Sequence, residues 1–243
     1  MDIRGMLVII PAYNEERNIT HVIRELRTEF PNIDILVVDD GSEDKTARIV
    51  KEMGEKVISH PYNLGYGAAL QTGFKYAVLY GTDRVVLFDG DGQHIAKEII
   101  ILTQVMEDEK SDIVIGSRFM KKGLYNLEFT RKAGILIYRW LALWLSGQQF
   151  MDPTSGMQVL NRKVIQYFAK RGNYPNDFPD VDVLIFMKMA GFKITEVSVD
   201  MRRREEGESM HGGLRTIYYV VKMFISIIAV YFRKKPNINE EAD

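Results

Sequence analysis

An α/β fold built on a mostly parallel central sheet flanked by helices is predicted by three features of this 243-residue sequence. Short apolar runs alternate with longer segments of helical period, as crossover units around a parallel sheet require. The polar and glycine-rich motifs Pro11–Glu16, Asp39–Ser42, Asp89–His94 and Gly116–Phe119 each follow an apolar run. Open parallel sheets bind ligands outside the carboxyl ends of their strands, so four loops in that phase predict one shared crevice. The content, 46% hydrophobic and 27% charged, is that of a globular chain able to bury one large core.

The first strand is expected at Met6–Ile10, closed by Pro11; this run is too short for an export signal and suits a buried strand. Ile19, Val22, Ile23, Leu26 and Phe30 then lie on one helical face, with Asn18 as candidate N-cap. Ile33–Val38 follows as a strand, Asp44–Met53 as a helix stopped by Gly54, and Lys56–Ser59 as the third strand. Gly65–Tyr80 and Ile95–Glu109 supply crossover helices on either side of a strand at Arg84–Phe88. Strands at Asp112–Ile115, Met157–Leu160 and Phe192–Val199 complete the sheet, with a helix at Val181–Met189. Ile135–Leu145, bearing Tyr138, Trp140 and Trp144, is an aromatic-rich helix. Ile217–Phe232 is strongly apolar but interrupted by Lys222 and followed by Arg233-Lys234-Lys235, so it is expected to lie on a membrane, not to cross it. Burial in the core or in a homodimer interface is the alternative for both segments. The chain thus divides into an α/β domain at 1–212, an apolar, membrane-interfacial or oligomerising helix at 213–235, and a polar tail at 236–243.

Asp89-Gly90-Asp91-Gly92-Gln93-His94 carries the chemistry. Its carboxylates sit two apart at a strand end, on one face of an extended backbone, with glycines leaving room for a close ligand. Such a pair is either an acidic turn or a site for a divalent cation bound through oxygen. Cysteine is absent, which excludes disulfides, thiolate metal sites and a cysteine nucleophile. A formal net charge of -1 argues against a nucleic-acid-coating surface, so phosphate recognition must be local. Arg118 and the Arg202-Arg203-Arg204 run are candidate phosphate clamps, the alternative for the run being a solvated surface.

Pro11-Ala12-Tyr13-Asn14-Glu15-Glu16, Asp39-Asp40-Gly41-Ser42, Asp89–His94 and Gly116-Ser117-Arg118-Phe119 together resemble, in order and separation, family 2 glycosyltransferases of the Rossmann-like GT-A fold, nearest the polyprenyl- and dolichyl-phosphate sugar synthases. The resemblance runs from about residue 5 to residue 210. It implies a GDP-, UDP- or dTDP-linked sugar donor, Mg²⁺ or Mn²⁺ as cofactor, and inversion at the anomeric carbon. By position, Pro11, Tyr13, Glu15 and Asp39 would line the nucleoside pocket, and Asp89, Asp91 and Gln93 would form the metal and diphosphate site. Arg204 through Ser209 is similar to a loop that closes over the donor, with Met210 standing where the family often has lysine. His94 is a candidate ligand-shell residue, a cap of the following helix, or solvent-facing.

Two acceptor classes follow from the resemblance. Transfer to a lipid phosphate needs cationic positioning, which Arg118, Arg131 and Lys132 could supply, although Ala133-Gly134-Ile135 lacks the serine common in those enzymes. Transfer to a sugar hydroxyl of a lipid-linked glycan needs a general base, for which Asp180 in Pro179-Asp180-Val181-Asp182 is the candidate, its alternative being a helix cap. Asp152 resembles a family loop residue near the acceptor. Either acceptor places the enzyme on the cytoplasmic face of a membrane. An aspartyl phosphatase, a nucleotidyltransferase and a dinucleotide dehydrogenase each lack a defining motif here, and a membrane-docked sugar-nucleotide-binding scaffold is the non-enzyme alternative.

Overall fold

The computed structural model describes residues 5–120, 139–175 and 181–202. Among them seven strands form one sheet: β1 (Met6–Ala12), β2 (Asp34–Asp39), β3 (Lys56–Ser59), β4 (Arg84–Leu87), β5 (Ile113–Ser117), β6 (Gln158–Asn161) and β7 (Ile194–Ser198). Their spatial order is β3-β2-β1-β4-β6-β5-β7, and among the described residues only β6 runs against its neighbours. The mostly parallel sheet expected from the alternating pattern is therefore present, with one antiparallel strand inserted between β4 and β5.

Helices cover both faces. α1 (Ile19–Glu29), α2 (Thr46–Glu52) and α4 (Ile99–Glu109) pack on one side, while α3 (Tyr66–Leu79), α5 (139–146), α6 (Arg162–Ala169) and α7 (Val181–Met189) pack on the other. Strand residues divide by parity: Leu7, Ile9, Leu36 and Val85 join the α3 core, whereas Val8, Ile10, Val37 and Val86 join the α1 core. Alternate side chains point to opposite faces, and both faces are covered, so the strands read as continuous apolar runs.

Several boundaries differ from the sequence reading for identifiable reasons. β1 continues through Pro11 to Ala12. The Ile9 carbonyl accepts from Phe88 N and the Ala12 carbonyl from Asp40 N, so alternation turns the missing Pro11 N–H toward β4, whose ladder has already ended at Leu87. Asn18 precedes α1, but its side chain makes no cap bond; its Nδ2 donates to Glu15 Oε2 at 2.7 Å. The Ile95–Glu109 helix divides into a 3₁₀ turn at Ala96–Glu98 and α4 proper. α6 has no counterpart in the sequence reading; Asn161 caps it by accepting from Val164 N at 3.1 Å. No helix among the described residues is long and apolar enough to cross a membrane, and the expected apolar helix at 213–235 lies outside them.

Candidate active site

At the carboxyl edge of the parallel strands, the loop after β1 is bound to the loop after β2 by a run of backbone-to-side-chain hydrogen bonds. Asn14 N donates to Ser42 Oγ at 2.9 Å, Glu15 N to Thr46 Oγ1 at 2.8 Å and Glu16 N to Asp44 Oδ2 at 3.0 Å. In return, Glu43 N donates to Asn14 Oδ1 at 2.9 Å and Lys45 N to Glu16 Oε2 at 3.1 Å. Asn14 takes a left-handed backbone, φ 57°, which asparagine tolerates better than most residues. Pro11 is buried in β1 and Tyr13 stands 44% exposed at the rim. Asp39 is buried at the end of β2 and accepts from Ser42 N at 3.2 Å. The structure therefore brings Pro11, Tyr13, Glu15 and Asp39 to one region.

Asp40 serves a different purpose from its neighbour. Its carboxylate accepts from Leu64 N at 2.9 Å, Gly65 N at 2.8 Å and the His60 ring at 2.6 Å, and the other His60 nitrogen bonds to Thr72 Oγ1 at 2.9 Å. This buried latch ties the 60–65 loop to β2 and fixes the start of α3. Gly41 is required beneath it, because a Cβ there would lie 2.5 Å from the Tyr62 carbonyl carbon.

After β4, Asp89 accepts from Tyr66 Oη at 2.9 Å on Oδ1 and from His94 Nε2 at 3.0 Å on Oδ2. Burial pushes the Asp89 carboxyl up, but the His94 hydrogen bond and charge, the Tyr66 hydroxyl and the Arg118 charge together hold it below the ordinary carboxylate range. A Cβ on Gly156 would lie 2.2 Å from Asp89 Oδ2, so this glycine admits the carboxylate against the 152–157 wall. Asp91 accepts from Gln93 N at 3.1 Å within its own loop. His94 is buried and neither caps a helix nor faces solvent.

No cluster of three or more His, Asp or Glu side chains able to hold a metal occurs among the described residues. The oxygen donors of Asp89, Asp91 and Gln93 on one loop nevertheless fit a hard divalent cation of the Mg²⁺ type, which is commonly held by one or two carboxylates while substrate phosphates and water complete its shell.

The far wall is built on a buried ion pair. Arg118 donates through Nε to Asp152 Oδ2 at 2.7 Å and through Nη2 to Asp152 Oδ1 at 2.8 Å, and its own backbone N–H reaches Oδ2 at 2.9 Å. The Arg118 and Arg139 guanidinium groups lie 5.2 and 5.6 Å from the Phe119 ring centre. Glu196 on β7 holds the Asp152 loop by accepting from Met151 N at 2.7 Å and Asp152 N at 2.8 Å. Arg202 is likewise committed: it grips Glu25 of α1 at 2.7 and 2.9 Å and donates to the His94 carbonyl at 3.1 Å, which pins the 93–96 segment to α1. Arg131, Lys132, Asp180, Arg204 and Ser209 lie outside the described residues.

Tyr66, His60 and Glu196 are not marked by the sequence. Tyr66 sits within an ordinary helical pattern, and Glu196 follows the alternation of a half-buried strand; neither has a local motif to distinguish it.

A model of the family described as "Glycosyl transferase family 2" matches residues 7–168. The chain is 32% identical over 211 residues to a UDP-N-acetylglucosamine–dolichyl-phosphate N-acetylglucosaminyltransferase of Methanococcus voltae, covering 79% of this chain and 83% of that protein. It is 29% identical over 215 residues to a polyprenol monophosphomannose synthase of Mycolicibacterium smegmatis, covering 85% and 81%. Among solved structures it resembles glucosyl-3-phosphoglycerate synthase of Mycobacterium tuberculosis, crystallised with Mn²⁺, UDP-glucose and phosphoglyceric acid, with TM-score 0.69 at 20% identity over 94% of this chain and 80% of that one. At that identity the likeness is one of fold.

Proposed function

The chain belongs to glycosyl transferase family 2, and from that premise we propose that it moves a sugar, with inversion, from a nucleotide-diphosphate sugar to polyprenyl or dolichyl phosphate at the cytoplasmic face of a membrane. The observation that carries this reading is the meeting of the 13–16, 39–46 and 89–94 loops at one carboxyl edge, where the candidate base and ribose residues adjoin a pre-oriented carboxylate. Two relatives whose names specify dolichyl phosphate or a polyprenol product support the acceptor class.

In this reading Pro11, Tyr13, Glu15 and Asp39 receive the base and ribose. Asp89, Asp91 and Gln93 hold Mg²⁺ or Mn²⁺, which when bound would neutralise charge gathering on the departing diphosphate. The acceptor oxygen of a lipid phosphate is already anionic, so the protein needs to position it more than to deprotonate it. Arg118, Arg131 and Lys132 are the cations assigned to that task, and Arg204 with Ser209 closes over the donor. Arg118 would do so as a fixed dipole and charge, because Asp152 already holds its fork.

Incubating the chain with radiolabelled UDP-, GDP- and dTDP-sugars and polyprenyl phosphate should yield one labelled lipid that releases its sugar in mild acid. With membrane lipids supplied in place of polyprenyl phosphate, label that stays on a glycan through the same acid treatment would replace the acceptor. Asp91→Asn should lower turnover about 100-fold or more, the scale of losing one group that meets developing charge; unchanged transfer would remove the motif from the chemistry.

A further inference from the structure

Resting on the donor site proposed above, we infer that Tyr66 and His94 are positioning residues that hold the Asp89 carboxylate in one orientation before the metal–nucleotide complex arrives. The two contacts engage opposite oxygens, Tyr66 Oη on Oδ1 at 2.9 Å and His94 Nε2 on Oδ2 at 3.0 Å, so rotation about the carboxylate would break both at once. The third side of the socket is Gly156, whose lack of a Cβ leaves the space that Oδ2 occupies.

Each donor is itself held from a separate part of the fold. Tyr66 is the first residue of α3 and follows Gly65, at φ 103°, whose N–H is taken by Asp40 in the His60 latch. His94 is 3% exposed, packs edge-on to Phe88 at 5.2 Å, and has its carbonyl tied to the Arg202–Glu25 pair. Its Nδ1 is buried with no hydrogen-bond partner among the described residues. An unsatisfied buried nitrogen costs free energy that an apolar ring at the same place would not incur. The return for that cost is the Nε2 contact with Asp89. A carboxylate fixed in this way loses little rotamer freedom on binding, the usual advantage of a supported site.

The test uses the full chain with Mn²⁺ and UDP, GDP or dTDP in turn, reading free Mn²⁺ by its electron paramagnetic resonance signal against the same mixture without protein. Tyr66→Phe and His94→Phe should each weaken Mn²⁺–nucleotide binding about 10-fold, the range seen when supporting partners of a metal site are removed. His94→Gln, which keeps an N–H donor, should recover most of the loss. If His94→Phe fails to fold, Tyr66→Phe decides alone, since it deletes one oxygen and keeps the ring. Binding by Tyr66→Phe within about twofold of the parent overturns the inference, because it falls well short of the loss a supporting partner causes. Asp91→Asn in the same assay separates the two readings: if it loses binding while Tyr66→Phe and His94→Phe do not, only the positioning role falls. If the parent binds none of the three nucleotides, or Asp91→Asn binds as the parent does, the donor site falls with it.

Discussion

Where β1 and β2 end, the loops interlock because hydroxyl and carboxylate oxygens take backbone N–H groups across about 30 residues of sequence; where β5 and β6 meet, the crevice wall hangs on the Arg118–Asp152 pair, whose carboxylate is fully buried. The first arrangement is distributed. Any one of its bonds contributes modestly, and water can replace a lost partner at the rim. The second is concentrated, because a buried charge deprived of its partner has no solvent to replace it. The interlocked loops can thus vary residue by residue while the opposite wall holds its shape as a unit.

The sharpest way to break this contrast is Asp152→Asn. It leaves the Arg118 guanidinium largely buried and without the Asp152 charge, and should cost about 3–5 kcal/mol in denaturant unfolding. A loss below about 1 kcal/mol would put this wall on the same footing as the loop lattice.

A smaller effect is expected at Glu196, where burial, with the Asp152 charge adding, raises the carboxyl above its ordinary 4.5 against the opposing pull of the Met151 and Asp152 N–H groups and Arg139. A raised carboxyl binds more protons in the folded than in the unfolded chain. Its favourable contribution is therefore complete below about 4.5 and is lost as the pH rises through the raised value. Glu196→Gln should flatten that stretch of the stability–pH curve, and an unaltered slope would show that Glu196 does not sense the wall.

The smallest effect belongs to the lattice. Asp44→Ala removes acceptors for Glu16 N and Thr46 N and should cost about 1 kcal/mol. Burial raises the Asp44 carboxyl, but the Thr46 hydroxyl and the N–H groups of Thr46 and Glu16 lower it further, so its contribution is present above the ordinary 3.8 and fades as the pH falls below it. A cost near that of Asp152→Asn would erase the distinction between the two walls.

Two of the arginines that the sequence offers as phosphate clamps carry a related lesson. Arg118 and Arg202 are each bidentate to an internal carboxylate, Asp152 and Glu25, which are 34 and 177 residues away in sequence. The fork that suits arginine to phosphate suits it equally to carboxylate. Residue type therefore could not say which partner each would take, and the chain's long-range packing did.

The helices and strands were legible because their cause is local. Apolar runs bounded by glycine and proline placed all seven strands, and the spacing of Ile19, Val22, Ile23 and Leu26 placed α1. α6 carried a readable signal too, since Asn161 followed by Val164, Ile165 and Phe168 is a capped helical face. The Asp89–Asp91 pair and its phase after a strand were likewise set by sequence alone. What only the tertiary structure decided was the company each group keeps: β6 reversed between β4 and β5, Tyr66 and His94 on Asp89, and Glu196 against the Asp152 loop. Periodicity reports which face a side chain occupies, because that follows from backbone geometry, whereas hydrogen-bond partners arise from elements brought together by burying a common core.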